Sequence, residues 1–304
     1  MTTFISFDDG EANISWLGLC AALEAGHQLP QAQIKDTFLH RGEDTLLTRS
    51  AWIDGMGLAV KSTTVYPGNP ARGRPMIDGT FSLYGDADGR LEAVIDFFLV
   101  TKWKTAGDSL YAATKLARPE SERILIIGAG VVAHSLFEAY SAAFPDARFT
   151  VWNRTRVRAE EMAQACPGVE VASDLEAAVR AADIVTSATP STKPIIKGDW
   201  LRPGQHIDLI GAFTPPMREA DDAVLQKGRI FVDTYDSILG HIGEIQNPLD
   251  RGAITPDDLG PTFYEADAFH RGSEEEITVF KNGGGAQLDL MTGRYILDQW
   301  RAAQ

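Results

Sequence analysis

Through the first hundred residues the apolar positions come in short runs or alternate with polar ones, which is the spacing of strands. The stretches "TLLTRSAWI", "MGLAVKSTTVY" and "MIDGTFSLYG…LEAVIDFFLV" fit β-structure, the last as a hairpin turning at "DADG". One helix interrupts them: "ANISWLGLCAALEAGHQ" sets Trp16, Leu17, Cys20 and Leu23 on a single face. A second helix, "KTAGDSLYAATKLAR", opens at Lys104 and stops at Pro119, because proline has no N–H to continue the ladder.

Beyond Pro119 the pattern changes. "RILIIGAG" is a buried-strand run that opens into the helical "VVAHSLFEAYSAAF". Strand "RFTVWN", helix "TRVRAEEMAQAC", strand "VEVA", helix "DLEAAVRAA" and strand "DIVTSA" follow, then strands "QHIDLIGA" and "GRIFVD". Strands alternating with helices of about a dozen residues predict an α/β fold with a doubly wound parallel sheet. From about Thr278, "TVFKNGGGAQLDLMTGRYILDQW" joins a glycine loop to a last helix that packs back on the first domain. The expected division is therefore 1–118 with 279–304 as one domain and 119–278 as the other.

Composition narrows the partners. Hydrophobic residues are 44% and charged ones 23% of the 304, an ordinary globular balance with ample surface to bury. The net charge of −14 argues against nucleic acid or an anionic membrane as partner, since both select a basic face. A small anion stays open wherever basic residues cluster. The two cysteines, Cys20 and Cys166, match no metal or redox spacing and read as fillers of apolar niches. The first residues carry no basic segment followed by a long apolar run, so no signal peptide is expected. No apolar run approaches the ~20 residues of a membrane span, and a cytoplasmic protein is expected.

The strongest local motif is Gly128-Ala129-Gly130-Val131-Val132-Ala133, a G-x-G-x-x-A between a strand and a helix. The first glycine permits a tight turn, the second lets a pyrophosphate approach the backbone, and the small third residue allows close helix–strand packing. The helix start then offers free N–H groups to the phosphates. A merely structural glycine turn is the plainer alternative, but the strand–turn–helix–strand context is the one the dinucleotide fingerprint demands. At the end of the next strand, where NAD-binding proteins place an acid for the ribose hydroxyls, stand Asn153, Arg154 and Thr155. An amide, a guanidinium and a hydroxyl suit a 2′-phosphate, so NADPH is the expected cofactor and NADH the weaker alternative. The competing reading is a solvated helix start, because Arg156 and Arg158 continue the charge run.

Arg49 and Lys61 lie inside runs otherwise made for burial, and Lys104 opens a helix. Buried cations are rare unless paired, so the three suggest a pocket for a carboxylate. Each is equally well explained as a strand end or a partner of a local acid. Other chemistry is thin. The six histidines show no zinc spacing, no metal is expected, and His241 with Glu244 is the one close His–acid pair. No nucleophile elbow is present. A bound nicotinamide is then the economical source of reactivity.

These ordered motifs resemble the ornithine cyclodeaminase/μ-crystallin family. The likeness runs from about Thr48 to Asp289 through "LLTR", "GLAVKSTTVYPGNP", "KTAGDSLYAATKLA", "ILIIGAGVVA", "VWNRT", "ADIVTSATPSTKPI", "IGAFTPPMRE" and "VFKNGGGAQLDL". It implies a Rossmann domain inserted into a β-rich α+β domain that binds substrate and joins two subunits into a homodimer. It carries the family's carboxylate ligands onto Arg49 and Lys61, and its helix-start arginine onto Lys104. Besides the glycine turn and Asn153–Thr155, it sets Lys104, Thr105, Ser187, Ala188, Thr189 and Gly211 against the cofactor. Phe213, Gly283 and Gly284 would wall the substrate ring.

Two departures refine the expectation. Cyclodeaminases of the family carry Asp where this chain has Phe213, and an apolar ring has no group to handle a substrate amine. Lys104 replaces Arg, which is not neutral where a bidentate contact is used. "GAFTPPMRE" with "WKTAGDS" is most similar to the family's ketimine reductases. NADPH-dependent reduction of Δ1-pyrroline-2-carboxylate to L-proline is the expected activity, with Δ1-piperideine-2-carboxylate as a further substrate. An alanine-type amino-acid dehydrogenase, an ornithine cyclodeaminase and an NADP-dependent small-molecule binding protein are the alternatives.

Overall fold

The alternating residues of the first hundred positions build one six-stranded sheet. The structure is a computed structural model and describes residues 2–304. In chain order the elements are β1 (Thr3–Ile5), α1 (Phe7–Glu11), α2 (Trp16–His27), β2 (Gln33–Arg41), β3 (Asp44–Ile53), β4 (Gly57–Val65), β5 (Ile77–Tyr84), β6 (Leu91–Ile95) and α3 (Phe97–Leu116). The strand order is β1-β6-β5-β4-β3-β2, with β1 parallel to β6 and every other pair antiparallel. Ser15 caps α2 by accepting from the Gly18 N–H. Trp16, Cys20 and Leu23 are buried on it as expected, but Leu17 is exposed and Leu19 takes its place in the core. Residue 17 lies about 100° round the helix from residue 16, off the buried stripe.

The hairpin ends earlier than the apolar run suggests. β6 stops at Ile95, and Asp96 then caps α3 by accepting from the N–H groups of Phe98 (2.8 Å) and Leu99 (2.9 Å). "FFLV" is thus the first turn of a buried helix, which an apolar run alone does not distinguish from a buried strand. Lys104 consequently sits two turns inside α3 instead of opening it.

The second part follows the expected alternation: β7 (Arg123–Ile127), α4 (Val131–Ala143), β8 (Arg148–Trp152), α5 (Arg156–Ala165), β9 (Val169–Val171), α6 (Leu175–Ala181), β10 (Ile184–Ser187), β11 (His206–Leu209), α7 (Asp222–Lys227) and β12 (Arg229–Val232). Then come α8 (Gly243–Asp250), β13 (Leu259–Thr262) and β14 (Thr278–Lys281). The sheet has eight strands in the order β13-β12-β14-β11-β10-β7-β8-β9, all pairs parallel. Its strands are Val/Ile/Leu runs because helices cover both faces. The closing segment therefore begins as an interior strand, β14, with all four residues buried.

The last helix, α9 (Ala286–Ala302), returns to the first sheet. There Gly293 lies against Phe81 so closely that a Cβ would stand 2.3 Å from the ring. By their contacts the residues form two compact units, the chain up to Lys104 with Gly284–Gln304, and Thr105–Gly283. The division expected from the sequence falls at 118 and 278; the units part inside α3, after Lys104, and beyond β14, after Gly283. Among the described residues, no helix is long and apolar enough to cross a membrane.

Candidate functional site

The first unit gathers all three predicted cations. Asp36, Arg49, Lys61 and Phe81 are successive cross-strand partners on β2, β3, β4 and β5, so their side chains share one face of the sheet. On that face the Arg49 Nε lies 3.1 and 3.0 Å from the two Asp36 oxygens, and its Nη1 donates to the Gly284 carbonyl at 2.6 Å. Lys104 Nζ donates to the same carbonyl at 3.1 Å. Gly284 has φ +65°, a left-handed conformation that side chains rarely adopt.

Lys61 is held separately. Its Nζ donates to Asp289 Oδ1 at 2.9 Å and lies 5.0 Å from the centre of the Phe97 ring. Lys61 and Lys104 are 5% and 7% exposed, and for Lys61 the surrounding charges set its protonation. Burial pulls Lys61 down to about 8; Asp289 opposes this, and the Lys104 and Arg49 charges add to it. Burial pushes the Asp289 carboxyl up, but Lys61, Lys104 and Arg49 outweigh it, and the group stays below its ordinary value. Asp289 Oδ2 is buried with no hydrogen-bond partner among the described residues.

The second unit carries the glycine turn. Gly128 has φ +111°, and a Cβ there would stand 2.8 Å from the Ala188 carbonyl oxygen. Only glycine fits this strand end. At Gly130 nothing lies within 4 Å of a Cβ position, and α4 starts with no side-chain cap. The helix start after Ala129 and Gly130, at Val131 and Val132, is thus uncapped by a side chain, and Val131 is 82% exposed. The turn fits a pyrophosphate.

At the end of β8 the Asn153 amide donates to the Thr155 carbonyl at 2.9 Å, which shapes the turn into α5. Arg156 and Arg158 pair with Glu160 and Glu161 of their own helix. Arg154 is exposed and pairs with no carboxylate among the described residues. The continuing charge run is thus a set of local helix pairs, and Arg154 stands apart from it.

Other predicted residues have mixed placements. Ser187 is buried, and its hydroxyl donates to Glu219. Thr189 and Gly211 touch backbone to backbone, since a Cβ on Gly211 would lie 2.2 Å from the Thr189 nitrogen. Thr105 accepts from the Asn282 side chain through its carbonyl. Phe213 is 65% exposed. The Gly283 N–H donates to Asp233, and a Cβ on Gly283 would stand 2.4 Å from Ser237 Oγ. Glu244, paired in sequence with His241, is instead buried and accepts from the N–H groups of Glu219 and Ala220.

Sequence reasoning missed Asp36, Asp289 and Glu219. An acid among apolar neighbours in "AQLDLM" was a signal for Asp289, because a buried carboxylate needs a cation. For Asp36 and Glu219 the partners lie on other strands and loops, and the local sequence carries no sign of them.

The chain matches the model of the ornithine cyclodeaminase/mu-crystallin family over residues 49–304. It is 48% identical over 301 residues to a Delta(1)-pyrroline-2-carboxylate reductase of Paracoccus denitrificans, covering 96% of this chain and 95% of that one. Among solved structures, a Delta(1)-pyrroline-2-carboxylate reductase of Thermococcus litoralis in complex with NADH and L-proline superposes with a TM-score of 0.90 at 25% identity, over 99% of this chain and 98% of the other. An archaeal alanine dehydrogenase dimer with bound NAD gives the same TM-score, 0.90, at 28% identity, over 99% and 97% of the two chains. The likeness spans the chain at near full length in each comparison, and the chain belongs to the ornithine cyclodeaminase/mu-crystallin family.

Proposed function

We propose that this protein reduces the C=N bond of a small cyclic imino acid with a nicotinamide cofactor, converting Δ1-pyrroline-2-carboxylate to L-proline and also accepting Δ1-piperideine-2-carboxylate. The observation that carries this reading is the convergence of Arg49, Lys61 and Lys104 around Gly284 and Asp289. Three cations against Asp36 and Asp289 leave a local positive excess in a chain of net charge −14. A single substrate carboxylate balances that excess.

Each residue then has a task. Arg49 presents a planar fork and Lys104 a second donor to the carboxylate. Lys61, pulled to about 8, releases a proton from Nζ to the imine nitrogen near neutral pH more readily than an exposed lysine does. An iminium carbon is the better electrophile. Asp289 holds the Lys61 ammonium in place through its 2.9 Å bond. When bound, the reduced nicotinamide supplies the hydride taken up by the C=N carbon.

Gly128, Ala129, Gly130, Val131 and Val132 would hold the pyrophosphate, and Arg154 with Asn153 and Thr155 the 2′-phosphate, making NADPH the preferred form over NADH. The absence of an Asp or Glu at 153–155 and the unpaired state of Arg154 among the described residues support this choice. Phe213 offers no group for a substrate amine, which argues against cyclodeamination. The sheet face opposite Lys61 exposes Leu39, Leu46 and Trp52, and the reading covers it with a second copy in a homodimer.

The test is to follow NADPH absorbance with five- and six-membered cyclic imines and, separately, with pyruvate plus ammonia. Oxidation with the imines is expected. Turnover confined to pyruvate and ammonia would make the protein an amino-acid dehydrogenase, and NADPH binding without turnover would make it a binding protein.

A further inference from the structure

The loops after β10 and β11 are tied together by one buried side chain. Glu219 is 0% exposed. Its Oε1 accepts from Ser187 Oγ at 2.5 Å, Thr189 N at 2.7 Å and Thr189 Oγ1 at 2.9 Å, and its Oε2 accepts from Gly211 N at 2.6 Å. Two of the donors are backbone N–H groups that cannot turn away, one on each oxygen, and they favour the carboxylate, while burial and the nearby Glu244 push the group up to about 7. The side chain cannot wander, since its backbone is fixed on both sides. The Glu219 N–H donates to Glu244 at 2.6 Å, and the Glu219 carbonyl accepts from the N–H groups of Ile195 and Ile196 at 2.8 and 2.9 Å.

The Ile210 and Gly211 N–H groups donate to the Ser187 carbonyl at 2.9 and 3.3 Å, and Gly211 lies against the Thr189 backbone; the Glu219 carboxylate adds the grip on Thr189 N–H that this backbone pairing lacks. Behind them Lys281, fully buried on β14, donates to the Leu209 and Asn282 carbonyls at 2.9 and 2.7 Å and lends positive charge to the two glutamates. Burying such a set without function is unfavourable unless every member is satisfied.

We propose that Glu219 is a positioning residue for the cofactor: by gripping Ser187, Thr189 and Gly211 at once it holds the ends of β10 and β11 at the spacing that cofactor binding requires. It acts through these loops and touches neither cofactor nor substrate. This rests on the reading given above, that Ser187–Thr189 and Gly211 face the nicotinamide cofactor. The imino acid clamp of Arg49, Lys61 and Lys104 lies in the other unit and, among the described residues, shares no hydrogen bond with Glu219.

Glu219→Gln keeps the shape and removes the charge. Its amide NH2 must face either the Gly211 N–H or the Ser187 and Thr189 donors, so one loop is released. Glu219→Asp keeps the charge and shortens the reach. NADPH affinity is measured by fluorescence titration of wild type and both variants without imino acid, and the imino acid KM and the thermal midpoint are measured alongside. The expected result is an NADPH Kd raised about tenfold or more in Glu219→Gln, on the scale of one charge-assisted bond. The imino acid KM should stay within about twofold, and Glu219→Asp should recover part of the affinity. An NADPH Kd unchanged in Glu219→Gln, with only the thermal midpoint lowered, would overturn the proposal and leave a structural role. If Glu219→Gln yields no folded protein, Glu219→Asp decides: a Kd more than about threefold above wild type supports the proposal and a wild-type Kd overturns it. Failure of the cofactor reading looks different, because wild type itself would then show no saturable NADPH or NADH signal.

Discussion

Lys61 and Asp289 stand 228 positions apart in the sequence and meet at 2.9 Å, the ammonium of a central strand against the carboxylate of the last helix. Both are almost wholly buried, so each sets the other's charge. If Lys61 gives the imine its proton, activity requires the ammonium form. kcat/KM for the imino acid should fall as pH rises through about 8, the value to which burial pulls Lys61. Asp289→Asn removes the carboxylate that opposes this pull, so the alkaline limb should move to lower pH. A pH–rate profile of the two proteins checks both statements, and an unmoved limb would remove Lys61 as the proton source.

Lys61→Met keeps most of the apolar stem and removes the charge, and Arg49→Met does the same on β3. Each should lower kcat/KM for the imino acid by about ten- to a hundredfold, the scale of a lost charge-assisted contact of roughly 1.5–3 kcal/mol. NADPH affinity should hold within about twofold. Lys61→Met also leaves Asp289 buried and unpaired, so a lower melting temperature is expected there. Near-normal turnover in both variants would remove the carboxylate clamp.

Arg154→Asp tests cofactor choice. The unpaired guanidinium at the end of β8 is replaced by the acid that NAD-binding folds carry there. NADPH should weaken and NADH should hold or improve, a shift in preference of about ten- to a hundredfold. Michaelis constants for both cofactors in wild type and variant measure it. An unchanged NADPH constant would end the 2′-phosphate assignment.

Two buried histidines predict acid sensitivity. Burial lowers His27 to about 4 and His206 to about 3, the latter helped by Arg271, from 6.5. Below about 6.5 the unfolded chain takes up protons that the folded one refuses, so stability falls as pH drops from 6.5 towards 4 for His27 and towards 3 for His206. Each contributes a loss on the order of a few kcal/mol across its window. Melting temperatures between pH 7 and 4 should show the decline, and His27→Leu should make it shallower.

Phe213 separates reductase from cyclodeaminase. Wild type with ornithine and NADP should give no proline and no ammonia. Phe213→Asp should weaken imine reduction, since it introduces a charge in place of an apolar ring. Ready conversion of ornithine by the unmodified protein would defeat the reductase assignment whatever the variant does.

Legibility followed locality. The parallel sheet could be read because each strand, turn and helix announces itself within a few residues, and Gly128–Ala133 names its own junction. Arg49 and Lys61 stood out because a cation in an apolar strand is locally anomalous. Asp36 and Glu219 carry no such mark, as their meaning comes from residues brought beside them by strand pairing and loop closure. The start of α3 is hidden for a related reason: "FFLV" is apolar in either state, and the Asp96 cap outweighs its β-like composition. Lys104 moved with it, from a helix start to a helix interior.

The place of β14 bears on how the protein is made. It fills the slot between β11 and β12 yet follows both in the chain, and α9 follows it in turn to close over Phe81. A chain emerging from the ribosome up to Val232 therefore holds two strands with unpaired edges and a first sheet whose inner face is still wet. The second unit, Thr105–Gly283, is complete only once β14 is made, and the first, begun earlier, waits longer still for α9, which departs from the usual habit of domains folding in order as they emerge. Until β14 arrives, the facing edges of β11 and β12 are open to mispairing, so the vulnerable stage of this architecture falls late, on chains that are nearly complete.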